Sequence, residues 1–287
     1  MSAIEMQDRW LDIDGLKLHG WQAGPEDAPV IFLLHGGGVD NALLSWRLTI
    51  PVLAETHRVV AFDWPGYGDS QALDGASTLE VYDRLLLGLM DALGVARAGL
   101  MGISMGGAAG LLFALNHPQR VERLALVDAY GLQRKAPFHT LSKWFVDIPA
   151  LTRWSYAWLR RSRWLTAWTL RSILCRPGSV NDQIVDEVYQ VIQKPGIWRA
   201  FQTFQQHEMT ASGLRSVYID RVGELRMPVL LIHGGKDSLV PLASAQEAVR
   251  INPAIRLEVL EGCGHWPQRD WPQEFNRVAG AFFGEGK

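Results

Sequence analysis

Residues 100–110 read "LMGISMGGAAG", an apolar run that ends on Ser104, with Gly102 and Gly106 two positions to either side. The run predicts a strand and the small residues after it a helix, so Ser104 falls at a strand-to-helix turn. Such a turn strains the central residue, and side chains two before and two after it would collide. Glycine at both places removes the collision. The Ser104 hydroxyl would then stand in the open, and the N–H of Met105 would face any anion formed beside it. A serine that only caps the helix over 105–117 is the plainer alternative.

The pattern spreads outward. "VIFLLH" (30–35), "VVAFDW" (59–64), "RLALVDA" (123–129), "PVLLIHG" (228–234) and "RLEVLEG" (256–262) join 98–104 as short continuous apolar runs, the form taken by strands buried on both faces of a parallel sheet. Helical spacing over 78–93, 105–117, 242–251 and 271–283 alternates with them. "RWLDIDGLKLHGW", hinged at Asp14-Gly15, predicts an N-terminal hairpin. The expected class is α/β with a mainly parallel sheet. Residues 131–214 break the alternation, with no strand run and six of the twelve tryptophans: Trp144, Trp154, Trp158, Trp164, Trp168 and Trp198. This stretch is expected to be a helical cap inserted into a core of 1–130 and 215–287, roofing the carboxyl ends of the strands.

With 287 residues, 48% of them hydrophobic, the chain can build one large core. Its 28 basic and 30 acidic residues give a net charge of -2, which supplies no global attraction to a polyanion. A small-molecule substrate is expected, and no nucleic acid. No signal-like leader or run of about 18 uncharged apolar residues occurs, so the expected location is cytoplasmic. Cys175 and Cys263 lack CxxC or His-rich spacing and are read as reduced thiols, with no metal site.

A serine hydroxyl acts as a nucleophile only with a base and an orienting acid. "LEGCGHWPQ" places His265 in a glycine-flanked loop and makes it the favoured base. His35 and His233 each precede a glycine and are read as fixing loop geometry. For the acid, Asp237 in "LIHGGKDSLVP" is favoured over Asp128 at the end of "LALVDA", although chain order fits both. In "LLHGGGVDN" the backbone N–H of Gly37 or Gly38 would supply a second oxyanion donor beside Met105. No G-K-[ST] follows that triplet, and no G-x-G-x-x-G opens a helix, which disfavours nucleotide binding.

"HGGG" (35–38), "DWPGYGDS" (63–70), "GISMGG" (102–107), "GGKDSLVP" (234–241) and "GCGHW" (262–266), in that order, resemble the α/β-hydrolase family over essentially the whole chain. The resemblance implies an eight-stranded, mostly parallel sheet flanked by helices, a cap after the sixth strand, Ser104, Asp237 and His265 as triad, and no cofactor. Serine at 104 disfavours the haloalkane dehalogenases and soluble epoxide hydrolases, which carry an aspartate nucleophile. The leading expectation is a serine esterase acting on a carboxylic ester or related acyl compound with an apolar or aromatic group. The alternative is carbon–carbon bond hydrolysis: the glycine loop and "CGHWPQRDWPQEFNR" are similar to the meta-cleavage product hydrolases, which cut vinylogous diketo acids. Ile103 stands where that group has Asn, and Arg199 is the one loose candidate for its carboxylate-holding cap arginine. Ile103 and Trp266 are expected beside the substrate.

In the cap, Trp154/Trp158 and Trp164/Trp168 recur at i, i+4 and are expected to roof the site or to dock the cap on the core. Nine Lys or Arg residues against Asp147 alone lie between 134 and 176. They are read as a solvated face, with membrane association disfavoured and a homodimer left open.

Overall fold

Asp14 and Gly15 take φ of 54° and 82°, the left-handed pair that a two-residue hairpin turn requires. They fold β1 (Gln7–Ile13) back on β2 (Leu16–Ala23). β2 pairs antiparallel with β4 (Arg58–Phe62), and from there every neighbour is parallel. With β3 (Val30–Leu34), β5 (Ala98–Ile103), β6 (Val121–Val127), β7 (Val229–Gly234) and β8 (Arg256–Leu260) the sheet has the order β1-β2-β4-β3-β5-β6-β7-β8. This computed structural model describes residues 5–285. All of β5 and β7 is buried, as continuous apolar runs covered on both faces demand.

Short helices α1 (Ala42–Trp46) and α2 (Ile50–Leu53) follow β3. Between β4 and β6 come α3 (Leu79–Ala92), capped by the Thr78 side chain, and α4 (Met105–Asn116). α4 is apolar all round and buried over its first ten residues, so it serves as a central pillar against the sheet. After β6 the chain runs through α5 (His139–Val146), α6 (Pro149–Leu159), α7 (Arg163–Leu170), α8 (Asp182–Gln193) and α9 (Trp198–Glu208) before β7. α10 (Leu242–Ile251), α11 (Pro267–Asp270) and α12 (Pro272–Gly284) complete it.

One expectation fails in the helices between β6 and β7. Trp154, Trp158, Trp164 and Trp168 are 63%, 49%, 70% and 58% exposed, so they neither roof a cavity nor dock these helices on the core. The inward stripe is made by smaller groups, Thr152 on α6 and Thr166 and Leu170 on α7. Leu170 and Leu174 pack with Ile184, Val185 and Val188 of α8. A space already filled by those aliphatic groups has no room for indoles. No helix among the described residues is long and apolar enough to cross a membrane.

Candidate active site

β5 ends at Ile103 and α4 begins at Met105, leaving Ser104 alone at the turn with φ 51° and ψ -117°. A Cβ on Gly102 would fall 2.3 Å from the Gly106 carbonyl oxygen, and one on Gly106 would fall 2.4 Å from those of Leu34 and His35. Both glycines are therefore sterically required. The strained residue is held by its own backbone: Ser104 N–H donates to Val127, and its carbonyl accepts from Ala108 and Tyr130. Its side chain makes no capping hydrogen bond, so the helix-cap alternative does not describe it. Met105 N–H, first in α4, has no intrahelical partner.

His265 follows β8 in the loop closed by Gly262 and Gly264, and its Nδ1 lies 2.7 Å from Asp237 Oδ2. Asp237 also does the turn-capping work that was its plainer reading, since Oδ1 accepts from Leu239 and Val240 N–H. Burial pushes the Asp237 pKa up, but the His265 hydrogen bond and charge and the two N–H groups outweigh it, so the group stays below the usual carboxylate range. Asp128, the rival acid, sits behind it. Burial and then the charge of Asp237 raise its pKa well above the usual range, which makes it the neutral member of the pair. Its Oδ1 accepts from Gly234 N–H at 2.9 Å. With Nδ1 committed to Asp237, Nε2 is the His265 nitrogen left for a reacting group. Ser104 and His265 line one cavity without a direct hydrogen bond between them, a contact that in such sites tightens when substrate seats.

The glycine loop forms the opposite wall. His35 Nδ1 engages the Gly36 carbonyl, its Nε2 accepts from Trp64 N–H, and burial lowers its pKa to about 4. The neutral ring thus fixes the loop, as the sequence suggested. Gly37 lies under Phe201, whose ring would be 2.3 Å from an added Cβ, and Gly38 has φ 77°. Asp40 Oδ2 accepts from Gly36 N–H and from Ser45 Oγ, and Ser45 Oγ accepts from Trp266 Nε1 at 3.3 Å. One buried carboxylate so connects the glycine loop to the residue after His265. Burial raises the Asp40 pKa to about 7 against the pull of these donors.

The cavity is about 310 Å³, small for a ligand site. Ile103 and Trp266 line it as expected, with Val39, Leu159, Leu170, Val188, Ile192 and Phe201. Among the described residues that line it, none is Lys or Arg. Arg199 does not reach it: it borders a separate cleft with Gly66, Asp69 and Lys194. Phe201, two residues on and about 200° around α9, takes the inward place. The sequence reading missed Phe201, Asp40 and the α8 wall. The spacing of Ile184, Val188 and Ile192 on α8 was the signal for that wall. Asp128, His233 and Asp237 bring ligand-type atoms within 4.8 Å of one another. Asp128 Oδ1 accepts from Gly234 N–H, His233 Nε2 meets the Val240 carbonyl and Asp237 Oδ2 meets His265 Nδ1, while Asp128 Oδ2 is buried without a hydrogen-bond partner.

Two sets of polar contacts join this loop to the helices above. Asp270 accepts from Gly264, Cys175 and Arg176 N–H groups at 2.8–2.9 Å. Glu187 of α8 pairs with Arg269 and Arg47, each at 2.6 Å.

Comparison with known proteins places this geometry. Residues 29–161 match the family model described as alpha/beta hydrolase fold. A 2-hydroxymuconate semialdehyde hydrolase of Pseudomonas sp. (strain CF600) is 29% identical over 89% of this chain and 87% of its own. A 2-hydroxy-6-oxo-6-phenylhexa-2,4-dienoate hydrolase of Comamonas testosteroni is 31% identical over 93% of this chain and 91% of its own. The structure of a meta-cleavage product hydrolase from Pseudomonas fluorescens IP01 superimposes with a TM-score of 0.80 at 26% identity, covering 97% of this chain and 98% of that one.

Proposed function

The chain belongs to the α/β hydrolase fold family, and on that premise we propose that it is a serine-dependent hydrolase that breaks the carbon–carbon bond beside a ketone carbonyl. The observation that carries this reading is the likeness, over more than nine-tenths of both chains, to a relative named for dienoate hydrolysis. It is joined to a site holding Ser104, His265, the glycine loop and Trp266 around one cavity. It reverses the order expected from sequence alone, where ester hydrolysis led.

Asp237 holds the Nδ1 proton, so His265 Nε2 takes the Ser104 proton as the oxygen attacks the carbonyl carbon. Met105 N–H and the N–H of Gly37 or Gly38 hold the oxyanion. Collapse of the adduct breaks the bond to the neighbouring carbon. The electron pair passes into a conjugated second carbonyl, and the imidazolium returns its proton to that fragment. Water, activated by the same base, releases the acyl group from Ser104 as a carboxylic acid.

This chemistry needs a conjugated carbonyl, not a carboxylate. A carboxylate in this cavity would forgo a charged partner worth about 1.5–3 kcal/mol. The substrate class we assign is therefore a neutral vinylogous diketone with an apolar or aromatic flank against Val188, Ile192 and Phe201. The same lack of a lining cation favours a second reading, hydrolysis of an apolar carboxylic ester, which uses the same serine, base and oxyanion donors.

The test is a side-by-side assay of a phenyl dienone ring-fission acid, its methyl ester and p-nitrophenyl butyrate, with products identified by mass. Carbon–carbon cleavage of the methyl ester is expected, with kcat/KM about 10- to 100-fold above the free acid. Turnover of p-nitrophenyl butyrate alone makes the protein an esterase. A fluorophosphonate probe that labels wild type and spares Ser104→Ala checks the nucleophile.

A further inference from the structure

Eight of the twelve large apolar side chains exposed among the described residues fall between 138 and 168, on α5, α6, α7 and their approach. Five are tryptophans: Trp144, Trp154, Trp158, Trp164 and Trp168. Trp154 and Trp158 stand edge to face with centroids 5.6 Å apart on the outer side of α6. So dense a set of exposed rings marks a surface that meets something. We propose that the outer face of α6 and α7 docks on an anionic phospholipid bilayer, with the indoles at headgroup depth and interleaved arginines on the lipid phosphates.

Charge selects this occupant. Arg153 precedes Trp154, Arg161 lies between Trp158 and Trp164, and Arg171 follows Trp168. Among the described residues none of these three guanidinium groups has an ion-pair partner, whereas Arg163 is paired with Asp182 and Asp186. The lone acid of 134–176, Asp147, is taken by Lys143. A second copy of the chain packed here about a two-fold axis would set cations against the same cations. A bilayer surface carrying negative lipids accepts the cations at its phosphates and the indoles just beneath, where their amphipathic rings are most stable.

The consequence reaches the site. Leu159 of α6 and Thr169 and Leu170 of α7 line the catalytic cavity from the inner side of the same helices. The membrane-facing helices are thus the wall of the active site, and an apolar substrate dissolved in lipid meets that wall first.

Flotation of the full chain with phosphatidylcholine vesicles, with and without phosphatidylglycerol, tests the proposal. Binding to the anionic vesicles alone is expected, weakening with salt, with tryptophan emission quenched by brominated acyl chains. Trp154→Ser/Trp158→Ser/Trp164→Ser/Trp168→Ser should lose the quenching. Arg153→Glu/Arg161→Glu/Arg171→Glu keeps every indole and should weaken partition by about fivefold or more per charge. Turnover of a water-soluble substrate by both variants should match wild type, since none of these residues lines the cavity, and this also reports folding. Equal binding to both vesicle types, binding to neither, a dimer that the tryptophan variant dissociates, or capture of single-stranded DNA in place of vesicles would each overturn it.

Discussion

Nδ1 of His265 lies 2.7 Å from Oδ2 of Asp237, a carboxylate whose other oxygen is committed to the N–H groups of Leu239 and Val240. The acid cannot rotate away, so it fixes which ring nitrogen carries the proton. Asp237→Asn keeps the size and offers an amide N–H instead, which favours the wrong tautomer. We expect kcat to fall by about 10³- to 10⁴-fold with the melting temperature moving by a few degrees at most. Steady-state kinetics beside a thermal melt decide it, and near-normal turnover would transfer the role elsewhere.

Asp128, neutral behind Asp237, is best imitated by an amide. Asp128→Asn should retain activity within about tenfold. Asp128→Ala should lose roughly 1–3 kcal/mol of stability, because Gly234 N–H is left without its acceptor. Denaturant midpoints and kcat for the two variants give the answer. A dead Asp128→Asn enzyme would mean that its charge is used.

Gly37→Ala would drive a Cβ into the Phe201 ring and displace an oxyanion donor. A loss of about 2.7–4 kcal/mol in transition-state binding, or 10²- to 10³-fold in kcat/KM, is expected. Adding Phe201→Ala removes the clash and should recover part of it. No recovery in the double variant would show that the loop fails for another reason.

Asp40 sets a pH dependence. Burial raises its pKa to about 7, so the folded chain keeps a proton that the unfolded chain releases near about pH 3.9. The stability tied to this group is fully present below that lower value and is lost as pH rises through about 7. Relative to Asp40→Asn, wild type should therefore lose stability between about pH 4 and about pH 7 and run parallel above it. Urea midpoints across that range check the slope, and a constant difference would refute it.

Glu187 pairs with Arg269, whose side chain is 3% exposed, and with Arg47. Glu187→Gln strands a buried guanidinium, at a cost of about 2–3 kcal/mol given that the carboxylate itself is partly wetted. It should also raise KM more than it lowers kcat, since α8 forms a wall of the cavity. An unchanged melting temperature would place the pair among contacts of little energetic weight.

Local chemistry made much of this legible in the sequence. The Asp14-Gly15 turn, the buried strand runs and the glycines around Ser104 each encode their geometry within a few residues, and the structure realises them, except that β8, at the sheet edge, buries only Leu260 fully. Ser104, Asp237 and His265 could be singled out because each follows the carboxyl end of a strand, β5, β7 and β8 in turn. What escaped depends on partners far apart in sequence. Asp40 touches Ser45, which in turn touches Trp266, and no periodicity announces that. The tryptophans misled for a different reason: hydropathy says which side of a helix is apolar, whereas packing volume decides which side fits. Thr152, Thr166 and Leu170 fit, and the indoles did not.

Asp270 ties Gly264, one residue before the imidazole, to Cys175 and Arg176 at the chain's return from α7. One carboxylate so fixes both the residue before His265 and the chain that leaves α7, and a change that moves either is felt by the other.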